Sequence, residues 1–161
     1  MNFALKSISF TLLKFLFLVL CFVFISPILA EENLYDRGKE LVDQKQYQKA
    51  LKAFELASKA GSLDALTALG VMHIGGIGVK QDNIKGYNYI KEAADKSDPK
   101  AQYTLGALYY LGVGVEKNFK KAFKWLNLSS EQNYIDAKFN LGVMYEFGEG
   151  VDQSYEKAYE Y

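Results

Sequence analysis

The sequence predicts an all-α protein built from stacked helix pairs, and two observations support this fold class. The pattern Ala-x-x-x-Leu-Gly, with a Gly-Val pair eight residues after its glycine, occurs three times at an interval of 36 residues, starting at Ala65, Ala101 and Ala137. Apolar residues recur at helical spacing on both sides of each glycine-rich loop. A fixed period of this length indicates one supersecondary unit that has been copied and stacked.

Residues 1–30 are predicted to be a secretory signal peptide. Lys6 and Lys14 lie in the basic start, residues 15–25 form an unbroken apolar run, and Ala30 ends a stretch suited to cleavage. An uncleaved N-terminal anchor is the alternative, because the apolar character continues from Phe15 to Ala30. Lipid attachment at Cys21 is less favoured, since the bulky Leu20 precedes it. We expect an exported, periplasmic or secreted protein, with a bacterial envelope favoured and no membrane contact after leader cleavage.

The composition of the remaining chain excludes two classes of protein. Cys21 is the only cysteine, so the chain after the leader has no disulfides. All 19 acidic residues lie beyond the leader, whereas Lys6 and Lys14 of the 19 basic residues lie within it. With about one charge per ionised side chain, the chain after the leader has a net charge near −2. Without a basic excess or a block of like charge, binding to nucleic acid is not expected.

Residues 31–62 are predicted to form a leading helix pair whose loop, residues 44–46, lacks glycine. Ala50 is in register with Gly86, Ala122 and Ala158, so this pair belongs to the same stack. Three further units are expected at residues 63–98, 99–134 and 135–161, the last one incomplete.

The unit at 99–134 shows the expected anatomy most clearly. Pro99 suits the first turn of a helix, and the first helix should stop at the glycines of residues 112–115. Asn118 is expected to cap the second helix with its side chain, as Asp82 and Ser154 do in the neighbouring units. Inside the first helix, glycine costs about 0.5–1 kcal/mol relative to alanine. We therefore expect close helix packing at the central glycines, which are Gly70, Gly106 and Gly142.

These motifs resemble the Sel-one-like repeat family, a branch of the tetratricopeptide superfamily, from about Asp64 to the end of the chain. The best match is Ala101-x-x-x-Leu105-Gly106-x-x-Tyr109-x-x-Gly112-x-Gly114-Val115, followed by Lys121-Ala122-x-x-Trp125-Leu126. The leading pair is more similar to an ordinary tetratricopeptide unit. The resemblance implies a right-handed superhelix that acts as a protein-binding adaptor. It gives little support to the activity of cysteine-stapled members on penicillins, because no cysteine follows the leader.

No residue set in the sequence indicates catalysis or a cofactor. The glycines of residues 75–78 follow a predicted helix and recur in later units without Lys80, so they are interpreted as a helix stop rather than a phosphate loop. His73 takes the place of Tyr109 and Tyr145 and is expected to pack, since a lone histidine makes a poor metal site. We therefore expect no enzyme, no metal and no cofactor.

The resemblance implies that the first helices line a concave groove for a protein or peptide partner. The residues three before, and one and four after, each central glycine should point into it. The expected partner-binding residues are Tyr35, Lys39, Thr67, Tyr103, Tyr110, Phe139 and Glu146. The alternative for Tyr110 and Phe139 is packing against their neighbours.

Two further hypotheses concern other functions of the chain. A cell-wall binding or hydrolytic protein would use Tyr35, Tyr103 and Tyr110 to stack on sugars and Glu146 as an acid, although no second acid or nucleophile is evident. A purely structural segment of a larger repeat protein is the other alternative. The last unit is short and ends in Tyr155, Tyr159 and Tyr161, so we also expect exposed apolar surface there and self-association through this end.

Overall fold

A computed structural model describes residues 34–161, which fold into eight α-helices without a strand in that range. Residues 34–43 form α1. The other helices are α2 (Tyr47–Lys59), α3 (Leu63–Gly75), α4 (Asn83–Asp95), α5 (Pro99–Leu111), α6 (Phe119–Glu131), α7 (Ile135–Phe147) and α8 (Tyr155–Glu160). They pack as successive antiparallel pairs in a right-handed α-solenoid, which confirms the predicted fold class.

The predicted capping residues start the second helix of each of the three later units, α4, α6 and α8. The side chains of Asp82 and Asn118 accept hydrogen bonds from backbone N–H groups three residues later, both at 2.9 Å. Ser154 does the same for α8 at 3.3 Å. These bonds satisfy N–H groups that have no partner within the helix, so the caps predicted from sequence are confirmed.

Glycine ends the first helix of each of the three later units, as predicted. Gly76, Gly112 and Gly148 follow α3, α5 and α7 in the left-handed conformation, at φ values of 63°, 76° and 68°. This conformation is strained for residues with a Cβ. The glycine-rich segment of residues 75–78 is therefore a helix stop, and the phosphate-loop alternative is wrong.

The central glycines lie where the two helices of a pair approach most closely. A Cβ added at Gly106 would lie 2.8 Å from Leu126 Cγ, and one at Gly142 would lie 3.1 Å from the Ala158 carbonyl oxygen. Carbon atoms in contact normally stay about 3.5–4.0 Å apart. The predicted close packing is confirmed, and it offsets the unfavourable helix propensity of glycine.

Contacts between units give the array its core. Buried small and aliphatic side chains from both helices of each pair fill the interior, with Ile90, Leu105, Leu126 and Leu141 among the largest. Tyr87 of α4 lies edge-on to Tyr109 of α5, and Phe123 of α6 lies edge-on to Tyr145 of α7. Each of these pairs joins a second helix to the first helix of the following unit.

His73 is a core residue, as predicted. It is 7% exposed and stacks on Tyr89 with the ring centroids 5.6 Å apart. Its Nδ1 atom has no hydrogen-bond partner. Burial is the main reason that the pKa of His73 lies below its ordinary value, and the nearby Lys85 lowers it further.

The predicted leader, residues 1–30, lies outside the described residues. Within residues 34–161, no helix has the length and apolar character needed to cross a membrane.

Candidate functional site

The first helix of each pair contributes to one surface of the solenoid, which we call the first-helix face. It comprises the outward-facing residues of α1, α3, α5 and α7. Two cavities open on it. The α1–α3 pocket has a volume of about 430 Å³ and the α5–α7 pocket about 390 Å³.

The α1–α3 pocket combines apolar walls with charged groups at its edge. Lys39 of α1 and Lys100 of α5 both line it. The apolar part of the lining is made by Val42, Phe54, Ala68, Val71, Met72 and Ile77. Asp43 of α1 lines the pocket as well, so an apolar side chain held there has charged groups of both signs beside it.

Lys100 reaches across to α1 and α3. Its Nζ atom lies 3.4 Å from the hydroxyl oxygen of Tyr35 and 3.5 Å from Asp64 Oδ1. Burial lowers the pKa of the Lys100 amine, but Tyr35 and Asp64 outweigh this effect and leave the pKa above its ordinary value. The amine is therefore charged at neutral pH.

The α5–α7 pocket is lined almost entirely by apolar and aromatic side chains. Phe139 lies at its edge and is 70% exposed, and Leu111 is also exposed. The rest of the lining consists of Tyr103, Ala107, Tyr110, Leu126, Asn140, Val143 and Met144. No charged residue lines this pocket, so it suits a large apolar side chain.

The structure brings most of the predicted binding residues to these two cavities. Tyr35, Lys39 and Thr67 line the α1–α3 pocket, and Tyr103, Tyr110 and Phe139 line the α5–α7 pocket. Thr67 is only 1% exposed, and its hydroxyl donates to the Leu63 carbonyl oxygen. It therefore forms pocket wall and has little surface to offer a ligand.

Glu146 lies apart from the other predicted residues. Its side chain is exposed and lines neither cavity, and its carbonyl oxygen accepts a hydrogen bond from Gln153. The interval of four residues after the central glycine brings Tyr110 to a pocket but does not bring Glu146 to one.

Tyr110 is held by its neighbours as well as lining a pocket. Its hydroxyl donates to Glu149 at 2.6 Å, and its ring lies 5.1 Å from that of Phe119. The hydrogen bond to Glu149 and burial raise the pKa of Tyr110 above its ordinary value. Tyr110 is thus a fixed part of the pocket wall, whereas Phe139 is open to solvent.

Tyr134 packs against a pocket residue, and the sequence interpretation missed it. Ser62 and Asp98 cap α3 and α5 with their side chains, but Tyr134, in the same register before α7, forms no such cap. Its ring lies 5.2 Å from that of Tyr103. The exchange of a capping residue for an aromatic one was the signal that could have identified it.

The α7–α8 end also exposes aromatic surface. Tyr159 is 95% exposed. The residues at the equivalent position of the two preceding units, Tyr87 and Phe123, each pack on an aromatic residue of the next unit. Tyr155 is exposed as well, while Tyr161 stacks on Tyr145. The expected apolar surface at this end is confirmed.

The described residues offer no metal-binding group. Among residues 34–161, no cluster of three or more histidine, cysteine, aspartate or glutamate side chains is arranged to hold an ion. What the first-helix face offers a ligand is therefore shape, apolar surface and a few charges.

A solenoid of helix pairs with open cavities along one face defines the class of helical-repeat binding proteins. The family model for the Sel1 repeat matches this chain four times, at residues 29–62, 63–98, 99–134 and 135–161. The chain therefore belongs to the Sel1 repeat family, which confirms the resemblance seen in the sequence. The first match includes the leading helix pair.

Solved structures that are similar to this chain include those of three bacterial proteins. A Sel1 repeat protein of Oxalobacter formigenes is 32% identical, with a TM-score of 0.73, and the match covers 78% of this chain and 51% of that one. The protein c5321, a protective antigen present in uropathogenic Escherichia coli strains, is 30% identical with a TM-score of 0.76, covering 81% and 29%. Cysteine-rich protein B of Helicobacter pylori is 27% identical with a TM-score of 0.59, covering 72% and 89%.

This chain thus spans about half of the first of these relatives and less than a third of the second. A comparison with proteins of curated function finds no match. Sel1 repeat proteins are generally scaffolds for protein–protein interaction and are generally not catalytic.

Proposed function

We propose that this chain is an exported scaffold that binds a protein or peptide partner on its first-helix face and catalyses no reaction. The observation that carries the proposal is the pair of cavities along this face, with Val71 and Phe139 exposed at them. Exposed aromatic and aliphatic residues beside a preformed pocket are typical anchors in protein interfaces. The interaction role of the family supports the same function.

A comparison of two exposed surfaces tests this proposal. Tyr103→Ala/Phe139→Ala removes side chains from the α5–α7 pocket. Leu56→Ala/Ile84→Ala is the matched control, because both side chains are exposed on second helices, outside the two cavities. Each protein is used to capture partners from envelope extract, and helicity by circular dichroism shows that each variant is folded.

The proposal predicts that the pocket variant loses a defined set of captured proteins that the control retains. Equal capture by both variants would refute binding at this face. Retention of purified cell-wall material, in the absence of protein and dependent on Tyr103, would favour the wall-binding alternative instead.

Export is the second part of the proposal. It rests on the basic start and the apolar run of residues 1–30. The mass of the protein recovered from the periplasm of a bacterial host should correspond to a chain that begins at Glu31. Recovery of a chain that begins at Met1, from the membrane fraction, would support the uncleaved anchor.

Self-association through the α7–α8 end is the third part. Exposed Tyr155 and Tyr159 at this end support it. Light scattering after size exclusion should show a concentration-dependent mass that Tyr155→Ser/Tyr159→Ser lowers to that of a monomer. A monomer at all concentrations would refute it.

A further inference from the structure

The α7–α8 end repeats a surface that is covered twice within the chain. Tyr87 of α4 packs on Tyr109 of α5, the first helix of the next unit. Phe123 of α6 packs on Tyr145 of α7 in the same way. Tyr159 holds the equivalent position in α8 but is exposed. The side of α8 that carries Tyr159 therefore matches a surface on which another helix packs.

Two further aromatic residues belong to the same surface. A Cβ added at Gly150 would meet the carbonyl oxygen of Phe119, so the loop of one unit lies against the start of the second helix of the unit before it. Tyr155 holds the position of Phe119 in the last unit and is exposed. Phe139, also exposed, holds the position of Tyr103, which packs on the residue before α7. All three side chains of the α7–α8 end thus face the place that a further unit would take.

The residues that face outward from α1 can be identified by comparison with α3. Gly38 is the counterpart of the central glycines, because a Cβ added there would meet Phe54, which is in register with the residues that Gly70 and Gly106 meet. In α3, the residues directly before and two after the central glycine are Leu69 and Met72, and both are buried among side chains of α1 and α2. The same two positions of α1 therefore face away from the array.

In α1 these two positions are Arg37 and Glu40, which make this end polar. Both are exposed, and their side chains form an ion pair at 2.7 Å. Apolar surface placed over the pair would remove both charges from water, which carries a large desolvation penalty. The α1 end therefore does not fit the aromatic α7–α8 end of another copy.

The exposed aromatic area is large enough to hold two copies together. A buried aromatic side chain removes about 150–250 Å² from water, so Phe139, Tyr155 and Tyr159 supply roughly 350–600 Å² at their present exposures. A stable interface buries about 800 Å² on each partner, and these three residues supply roughly half of it. Acidic side chains outnumber basic ones in residues 135–161, so apolar burial rather than charge has to drive the association.

We propose that the α7–α8 end binds the same end of a second copy, and that assembly stops at a closed dimer with two-fold symmetry. In a two-fold interface the same patch is used on both copies, so both aromatic surfaces are covered at once. A head-to-tail contact would leave one end open and continue into a filament. This inference rests on the third part of the proposed function, since it specifies how the copies meet.

Two single-cysteine variants test the orientation of the copies. The chain has no cysteine after the leader, so Glu156→Cys on α8 and Asp36→Cys on α1 each introduce one exposed thiol. Each variant is treated with a flexible bifunctional maleimide. We expect covalent dimers of Glu156→Cys, none of Asp36→Cys, and no mixed product when the two variants are combined with one of them tagged.

Sedimentation equilibrium tests the size of the assembly and the surface that it uses. The mass should rise with concentration and stop at twice that of one chain, and added salt should strengthen the dimer because it screens the acidic ends. Tyr159→Ser removes a buried aromatic residue from both copies, so the dissociation constant should rise at least about tenfold. Leu56→Ser, at an exposed position of α2, is the control and should leave the dissociation constant unchanged.

A gain of assembly tests the role of the polar α1 end. Arg37→Leu/Glu40→Leu gives α1 the leucines that α5 has at these positions, so the mass should grow beyond that of a dimer. Asp36→Leu/Lys39→Leu is the matched control, because it replaces the neighbouring ion pair of α1 by the same two leucines, and it should remain a dimer. A dimer in both variants would refute the role assigned to Arg37 and Glu40.

The outcomes separate this inference from the proposed self-association. A monomer at all concentrations would overturn both. Growth of the unaltered chain beyond a dimer, or a cross-link between Asp36→Cys and Glu156→Cys, would overturn the closed dimer and leave self-association standing. Equal weakening by Tyr159→Ser and Leu56→Ser would refute the α7–α8 end as the contact and so overturn both.

Discussion

Gly106→Ala tests whether close helix packing holds the solenoid together. The added Cβ would lie 2.8 Å from Leu126 Cγ and 3.3 Å from the Ala122 carbonyl oxygen. Leu126 is almost fully buried, so it can move only by displacing other core residues. Overpacking of this kind costs about 1–3 kcal/mol, and the better helix propensity of alanine returns about 1 kcal/mol. We expect a net loss of roughly 0–2 kcal/mol in the free energy of unfolding.

Gly142→Ala is the matched control, because it makes the same change in the same register. Its Cβ would lie 3.1 Å from the Ala158 carbonyl oxygen of α8, a helix without a buried residue, and 3.5 Å from Cβ of Tyr161, which follows that helix. The chain can shift there, so the better helix propensity of alanine should dominate, and we expect the free energy of unfolding to rise by up to about 1 kcal/mol. Gly106→Leu adds further carbons at the tight site and is expected to prevent folding of the array.

Urea denaturation followed by circular dichroism measures these changes, and a double-mutant cycle identifies their cause. Leu126→Ala alone should cost about 2–5 kcal/mol. In that background the neighbour of the added Cβ is gone, so Gly106→Ala should cost little or stabilise the chain, and the coupling energy should equal the overpacking cost of about 1–3 kcal/mol. Equal effects at Gly106 and Gly142, or additivity with Leu126→Ala, would refute the packing explanation.

Three further predictions follow from single positions. The pKa of His73 is lowered in the folded chain, so the unfolded chain binds a proton more readily. The contribution of His73 to stability should be complete above pH 6.5 and should be lost as the pH drops below it. The loss of stability between pH 7.5 and 5 should be smaller in His73→Phe, and an equal loss would contradict the assignment. Ser97 has a positive φ of 67°, a conformation that is unfavourable for a residue with a Cβ. Ser97→Gly should therefore raise the free energy of unfolding, measured by urea denaturation, by about 1 kcal/mol. Lys96→Gly is the control, because Lys96 has a negative φ and no such gain is expected there. Burial and the hydrogen bond to Tyr109 raise the pKa of Tyr87 to about 12. The free energy of unfolding should therefore decline from pH 10 to 12, and it should decline less in Tyr87→Phe. The same decline in both proteins would refute this prediction.

The local features of the fold could be predicted from sequence because their causes are local. A side-chain cap acts within three residues of its own position, as at Asp82 and Asn118. A left-handed helix end requires glycine at that same position, as at Gly112. The period of 36 residues then extends these features from one unit to the next.

Contacts between distant residues could not be predicted in the same way. Gln102 is buried and accepts a hydrogen bond from Gln132 at 2.8 Å, and the Ser129 hydroxyl donates to the Pro99 carbonyl oxygen. The two residues of each contact lie 30 positions apart in the chain, and they meet only because α6 packs back on α5 within the same unit. The same is true of Lys100 and Tyr35, which meet only because α5 is placed beside α3 and α1.

The internal repeat separates positions that build the array from positions that distinguish its units. Central glycine and its partner positions keep small residues in successive units, whereas the residue before the first helix changes from Ser62 to Asp98 to Tyr134. At Tyr134 the chain lacks a side-chain cap, an interaction that contributes about 1 kcal/mol in helices that have one. Packing of the Tyr134 ring on Tyr103, at the edge of the α5–α7 pocket, is what the aromatic residue provides there. Tyr134 does not itself line the pocket, so the exchange replaces a local helix cap by a contact that links the start of α7 to a pocket residue of α5.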